Sequence, residues 1–178
     1  MISESILIVP LQDILKGAVG QGSMRKEDCL HMLGFLENVI EAKVISRIIA
    51  AALGMEGPEV KGRALMGFGM MNKYQPLTLY FIHEDGVLIA GALIMGYTIN
   101  RIGTIDTHRH RGYATKLIKC IEQIAKEDKW PVLFSPVDPE LQDLFRKIGW
   151  ENAAELANPD GSIDMKPKWS SYVYRKLS

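Results

Sequence analysis

Short apolar runs alternate along the chain with stretches in which apolar residues recur at three- and four-residue intervals, and each predicts an element. Residues 5–9, Ser-Ile-Leu-Ile-Val, form an apolar run closed by Pro10, which lacks the amide that a sheet ladder needs, so they read as a strand. From Met24 to Leu53 the apolar positions Leu30, Leu33, Leu36, Ile40, Val44 and Ile48 keep helical spacing, with Ser23 as N-cap and Gly54 as stop. That predicts one long helix or two abutting ones. Residues 57–76 hold Gly57, Gly62, Gly67 and Gly69 among Met66, Met70 and Met71 and keep no period, so they read as a loop with some helix. Their methionines suit either an adaptable acceptor-side surface or gap-filling core positions.

Leu77–His83 is rich in β-formers, Glu84-Asp85-Gly86 signals a tight turn, and Val87–Thr98 is apolar again, which together predict a β-hairpin. A third run, Ile99–Thr107, follows a turn within residues 97–101. From Gly112 the spacing of Ala114, Leu117, Ile118, Ile121 and Ile124 predicts an amphipathic helix ending near Asp128. Pro131–Ser135 reads as a short strand, and a helix opens at Asp138 or Pro139, runs through Leu141, Leu144 and Phe145, and stops at Gly149. A weak strand after Trp150, a turn at Pro159-Asp160-Gly161 and an alternating strand over Trp169–Leu177 complete the chain. No repeat, low-complexity tract or linker interrupts it, so residues 1–178 are expected to form one domain.

A chain of 178 residues with 47% hydrophobic and 24% charged residues has ordinary globular composition, which excludes wholesale disorder and collagen-like or coiled-coil architectures. A compact α/β or α+β domain is expected. Cys29 and Cys120 lie far apart in helix-like patterns, which fits a reducing compartment, and the Met-Ile-Ser-Glu start has no basic segment followed by a long apolar run. A cytoplasmic location is therefore expected. Net charge is formally zero, so no overall field favours nucleic acid or an anionic membrane. Between residues 101 and 119, however, Arg101, Arg109, Arg111, Lys116 and Lys119 face the single carboxylate Asp106, with His108 and His110 as further donors.

That basic segment, Thr107-His108-Arg109-His110-Arg111-Gly112-Tyr113-Ala114-Thr115, sits where a strand gives way to an amphipathic helix. The first turn of a helix carries amides without intrahelical partners, at the positive end of its dipole. A glycine lets anionic oxygens approach the backbone, and two arginines and the Thr115 hydroxyl add donors. The segment reads as an anion cradle.

These residues resemble the acetyl-CoA signature of the GNAT acetyltransferases, Arg/Gln-x-x-Gly-x-Gly/Ala, here Arg109-x-x-Gly112-x-Ala114. Leu144-Phe145-Arg-Lys-Ile-Gly149-Trp150 is similar to the family's Leu-Tyr-x-Lys-x-Gly-Phe segment, and Tyr172-Val-Tyr-Arg-Lys-Leu177 to its last strand. The likeness covers residues 77–178; residues 1–76 match only in order of elements. It implies a mixed, mainly antiparallel twisted sheet of about six to seven strands flanked by helices on both faces. It also implies direct transfer of an acetyl group from acetyl-CoA to a primary amine on a small molecule or a peptide. The strands over 99–107 and 131–135 would splay, and acetyl-CoA would contact Ile105, Thr107, Arg109, His110, Arg111, Gly112, Tyr113, Ala114 and Thr115, with Asp138 and Phe145 from the later helix.

The chain departs from the family at three places: Phe145 replaces a proton-donating tyrosine, Asp138 stands where asparagine is frequent, and the stretch from Ile105 to Arg109 is short. Candidates for the base are Asp106, His108 or a water held by Tyr97, Thr98 or Asn100. Asp106 serves equally as a structural partner of the arginines, and His108 as a phosphate-facing donor. His108-x-His110 lacks accompanying ligands at metal spacing, so no metal is expected. Cys120 reads as an inert buried thiol, and Trp130, Trp150 and Trp169 as packing residues. Two further readings stay open, a CoA-binding protein of this fold without efficient transfer and a nucleic-acid- or partner-binding domain. Ile45, Ile48, Ile49, Ala51 and Ala52 suit either core packing or a homodimer seam.

Overall fold

A computed structural model describes residues 4–41, 77–136, 139–152 and 172–177. Strand β1 (Glu4–Pro10) leads into helices α1 (Leu11–Ala18) and α2 (Lys26–Asn38). Strands β2 (Leu77–Glu84), β3 (Val87–Met95) and β4 (Thr98–Thr104) follow as an antiparallel meander. Helix α3 (Tyr113–Glu127), β5 (Val132–Pro136), α4 (Pro139–Lys147), β6 (Glu151–Asn152) and β7 (Tyr172–Lys176) complete the order. The strands form one seven-stranded sheet in the order β1-β2-β3-β4-β5-β7-β6, antiparallel except between β4 and β5.

Alternation along the strands builds a core on each face. Leu79, Phe81 and Leu93 point to the face covered by α1 and α2, where Phe35 meets Phe81 edge-on with ring centroids 5.7 Å apart. Tyr80, Ile82, Ala90, Ala92, Ile94 and Ile99 point to the other face, against Leu117, Ile118, Ile121 and Ala125 of α3 and Phe145 of α4. The β2–β3 turn places Asp85 at φ 49° and Gly86 at φ 81°, both left-handed, as a tight two-residue hairpin requires.

Three expectations change. Helix α2 ends at Asn38, which removes the reading of one long helix and leaves that of two, and its N-cap position is Arg25, not Ser23. Ile40 turns inward onto the sheet instead of continuing the helical stripe, Glu41 adopts φ 54°, and Leu30 is 42% exposed. Residues 42–53, the Met-Gly stretch, the Pro159 turn and the Ile45–Ala52 seam lie outside the described residues. The strand expected over Ile99–Thr107 stops at Thr104, because the chain tightens into a single 3-10 turn over Asp106–His108. The short helix α1 is an addition to the expected elements, although Leu11, Ile14, Leu15 and Ala18 carry the helical period and are all buried.

Helix α2 reaches the sheet through glycines. Gly91 and Gly103 are paired across β3 and β4, and a Cβ on Gly103 would stand 2.5 Å from the Val39 carbonyl oxygen. On the other face Glu122 of α3, only 8% exposed, accepts from Trp150 Nε1 at 2.6 Å and faces Arg175 Nε at 3.8 Å. Arg175 Nη1 donates in turn to the Ile148 carbonyl at 2.7 Å. One carboxylate thus ties α3, the end of α4 and β7 together.

Candidate functional site

The site begins where β4 and β5 part. They pair in parallel at one point only among the described residues, Thr98 with Phe134, where the Phe134 amide donates to the Tyr97 carbonyl at 2.8 Å. The next amide that a parallel ladder would use, toward the Ile99 carbonyl, belongs to residue 136. Residue 136 is proline and has no N–H, so the ladder cannot continue. The Ser135 hydroxyl, in a side chain 1% exposed, donates to the Ile99 carbonyl instead, at 3.1 Å. Among the described residues the strands are thus pinned at this vertex, with a side-chain bond in place of the next rung of the ladder. Ser135→Ala is expected to remove the buried donor at a cost of about 1–2 kcal/mol. Calorimetry checks this as a fall in Tm of about 3–6 °C.

The far end of β4 delivers the basic segment. Ile105 donates its amide to the Ile89 carbonyl at 2.9 Å, and the 3-10 turn closes through His108 N–H to the Ile105 carbonyl at 3.0 Å. The Arg109 Nε lies 3.2 Å from Asp106 Oδ1 and 3.4 Å from the Thr104 carbonyl. His110 takes φ 62° and Gly112 φ 85°, two left-handed residues that turn the chain into α3 at Tyr113. A Cβ built on Gly112 meets nothing within 4 Å, so the space before the helix start is open. The first intrahelical bond runs from the Lys116 amide to the Gly112 carbonyl at 3.0 Å, and the amides preceding it have no acceptor within the helix.

Side chains brace this start. The Tyr113 hydroxyl donates to Glu84 at the end of β2, and the His108 ring stands edge-on to Tyr113 with centroids 5.7 Å apart. Thr107 Oγ1 and His108 Nδ1 are 2.8 Å apart. Arg111 and His110 are exposed, while Ala114 and Thr115 are half-buried in the first turn.

The structure therefore gathers Ile105, Thr107, Arg109, His110, Arg111, Gly112, Tyr113, Ala114 and Thr115 on one loop and helix start. Asp106 is on the same loop, its side chain 89% exposed and paired with Arg109. Phe145 is fully buried, 4.7 Å from the Trp150 ring, in the core cluster that also holds Leu117 and Ile118 of α3. Asp138 lies outside the described residues. Burial pushes the thiols of Cys29 and Cys120 up from their ordinary pKa, with Asp28 and Glu127 adding to it, so both are protonated at neutral pH and poorly nucleophilic. Among the described residues no cluster of His, Cys, Asp and Glu could hold a metal ion, and no helix is long and apolar enough to cross a membrane. Glu84, Ser135 and Pro136 were not singled out from sequence; the Pro136 signal becomes readable only once the β4–β5 register is known.

No family model matches the sequence, and no curated protein does. Solved structures match by shape. A GNAT family N-acetyltransferase from Escherichia coli in complex with CoA superposes with a TM-score of 0.57 at 13% identity, over 100% of this chain and 83% of that one. GCN5 from Tetrahymena gives 0.56 at 12% identity, over 85% of this chain and 89% of that one. The ribosomal-protein-S18-alanine N-acetyltransferase of Escherichia coli gives 0.54 at 10% identity, over 98% and 94%. The architecture, strand order and helix placement are those of the GNAT N-acetyltransferase fold.

Proposed function

We propose that, on this GNAT fold, the chain binds acetyl-CoA and transfers its acetyl group to a primary amine. The observation that carries the reading is the open, left-handed Gly112 at the start of α3, on the basic loop that follows β4. The residues fit a pyrophosphate. The Ala114 and Thr115 amides in the first turn of α3 have no acceptor within the helix and stand at its positive end, and Gly112 leaves room for oxygens at van der Waals distance from the backbone. Arg111 and Arg109 supply charge-assisted donors, and Asp106 steers Arg109 against the loop.

Bound acetyl-CoA would supply a thioester carbonyl as the electrophile. Backbone groups of β4 beyond Thr98 would meet the arm that carries it, because among the described residues the ladder to β5 is paired only at Thr98 and Phe134. We assign Asp106 and His108 to holding the cradle: one pairs with Arg109 and the other braces Tyr113. Neither assignment requires proton transfer.

Thermal shift with and without acetyl-CoA tests the reading. At a hundredfold excess over Kd the ligand adds about 2.7 kcal/mol, a rise in Tm of about 5–10 °C for a domain of this size. Arg109→Ala with Arg111→Ala is expected to lose about 100-fold in affinity, removing most of that rise at the same ligand concentration. A rise equal to wild type in the double variant sinks the cradle.

One observation favours a second reading. Phe145 stands where the family places a tyrosine, is fully buried and has no proton to give a departing thiolate, as suits a protein that binds CoA and transfers slowly. Thiol release measured over a panel of amines separates the two: turnover supports transfer, whereas binding without turnover supports the second.

A further inference from the structure

Strand β4 carries a cation that the cradle does not use. Arg101 pairs with Leu93, and Gly103 with Gly91, so both residues lie on the sheet face covered by α1 and α2. The register shift at Leu93/Ile94 inserts Asn100 as an extra residue and sets Arg101 on that face. The end of α2 reaches Gly103 through the Val39 carbonyl and leaves Arg101 exposed just beyond it. Its guanidinium donates from Nη1 to the Asn100 carbonyl at 2.9 Å, and no carboxylate pairs with it among the described residues.

Position gives this charge a use. Arg101 lies between the vertex at Thr98 and the strand end at Thr104, from which three residue steps cover about 10 Å. An arm running from the cradle along β4 toward the vertex brings its tip to this stretch. An ammonium acceptor that approached the tip would meet a like charge. An acceptor that also carries an anionic group would turn that repulsion into charge-assisted hydrogen bonds, with the planar fork of the guanidinium matched to a carboxylate or phosphate.

We infer that Arg101 selects acceptors in which the reacting amine is accompanied by a carboxylate or phosphate; the inference rests on the acetyltransferase reading above. Arg101 is here a specificity determinant, and it takes no part in holding acetyl-CoA.

The test compares acceptors matched except for charge, glycine against glycinamide and aminoethyl phosphate against ethanolamine, by thiol release from acetyl-CoA. Wild type is expected to favour the anionic member of at least one pair by about 10- to 100-fold in kcat/KM, and the pair that responds identifies the anion. Because amine basicity differs within each pair, the reference is Arg101→Gln, in which the preference should collapse with the Kd for acetyl-CoA unchanged. Arg101→Lys should restore part of it. Normal acetyl-CoA binding with no preference, or a preference that survives Arg101→Gln, overturns the role of Arg101 and leaves the acetyltransferase reading standing. Failure of wild type to bind acetyl-CoA overturns that reading and this inference together. If acetyl-CoA binds without thiol release, the same acceptors are compared by their effect on the Tm of CoA-saturated protein. A rise limited to anionic acceptors and lost in Arg101→Gln supports the inference, and its absence overturns it.

Discussion

Glu122→Ala is expected to lower the melting temperature by about 6–12 °C, the largest loss for any single change outside the apolar core. The wild-type carboxylate accepts from the Trp150 indole and faces the Arg175 guanidinium, and Trp150 is 2% exposed. Removing it leaves a buried indole N–H without its acceptor and a half-buried cation without its counter-charge. Breaking such an arrangement from one side costs about 3 kcal/mol or more, because the groups left behind stay desolvated. Glu122→Gln keeps an acceptor oxygen for Trp150 and loses only the charge, so it should sit about midway between alanine and wild type. Calorimetry on the three proteins checks the order; an alanine variant as stable as wild type means that water replaces the carboxylate.

Gly112→Val should cost more in ligand binding than in stability. The position needs φ 85°, a region that a β-branched residue enters at about 1–3 kcal/mol, so Tm falls by about 2–9 °C. The valine methyl groups also project into the space that is empty in front of the helix start. If that space receives a pyrophosphate, affinity for acetyl-CoA should fall about 100-fold or more, beyond what the stability change produces. Isothermal titration below both melting points separates the two effects. A variant that is destabilised yet binds normally places the phosphate elsewhere. Gly112→Ala, at the same φ but with a smaller side chain, should lose stability to a similar degree and binding to a lesser one.

The two-face sheet and the helix from residue 113 were readable because both rest on local periods. Leu79 and Phe81 alternate with Tyr80 and Ile82, and Leu117, Ile118, Ile121 and Ala125 recur at helical spacing. The anion cradle was equally local, since Arg109, Gly112 and Ala114 lie within a few residues. What escaped depends on partners distant in sequence. The helical stripe through Ile40 reads onward toward Ile48, and only its contact with Gly91 explains why Ile40 leaves the helix. Glu122 shares the buried stripe of α3, but a lone carboxylate there reads as a solvated residue until Trp150 and Arg175 are brought beside it. Likeness of motif relates Phe145 to acetyl-CoA, and its edge-on packing against the Trp150 ring becomes visible only in the fold. The Ile99–Thr107 run was read too long because Thr104, Ile105 and Thr107 are β-formers. The bond from His108 N–H to the Ile105 carbonyl overrides that preference.

The division between β4 and β5 originates in one missing hydrogen atom, that of the residue 136 amide, and a covalent absence does not fluctuate. A ligand arriving beside residue 136 meets no amide-to-carbonyl bond at that rung and spends none of its affinity on breaking one. Where a binding-competent state is populated only part of the time, apparent affinity falls by that fraction. With no ladder bond to break at residue 136, association is expected to follow a single bimolecular step whose rate rises linearly with ligand concentration instead of levelling off.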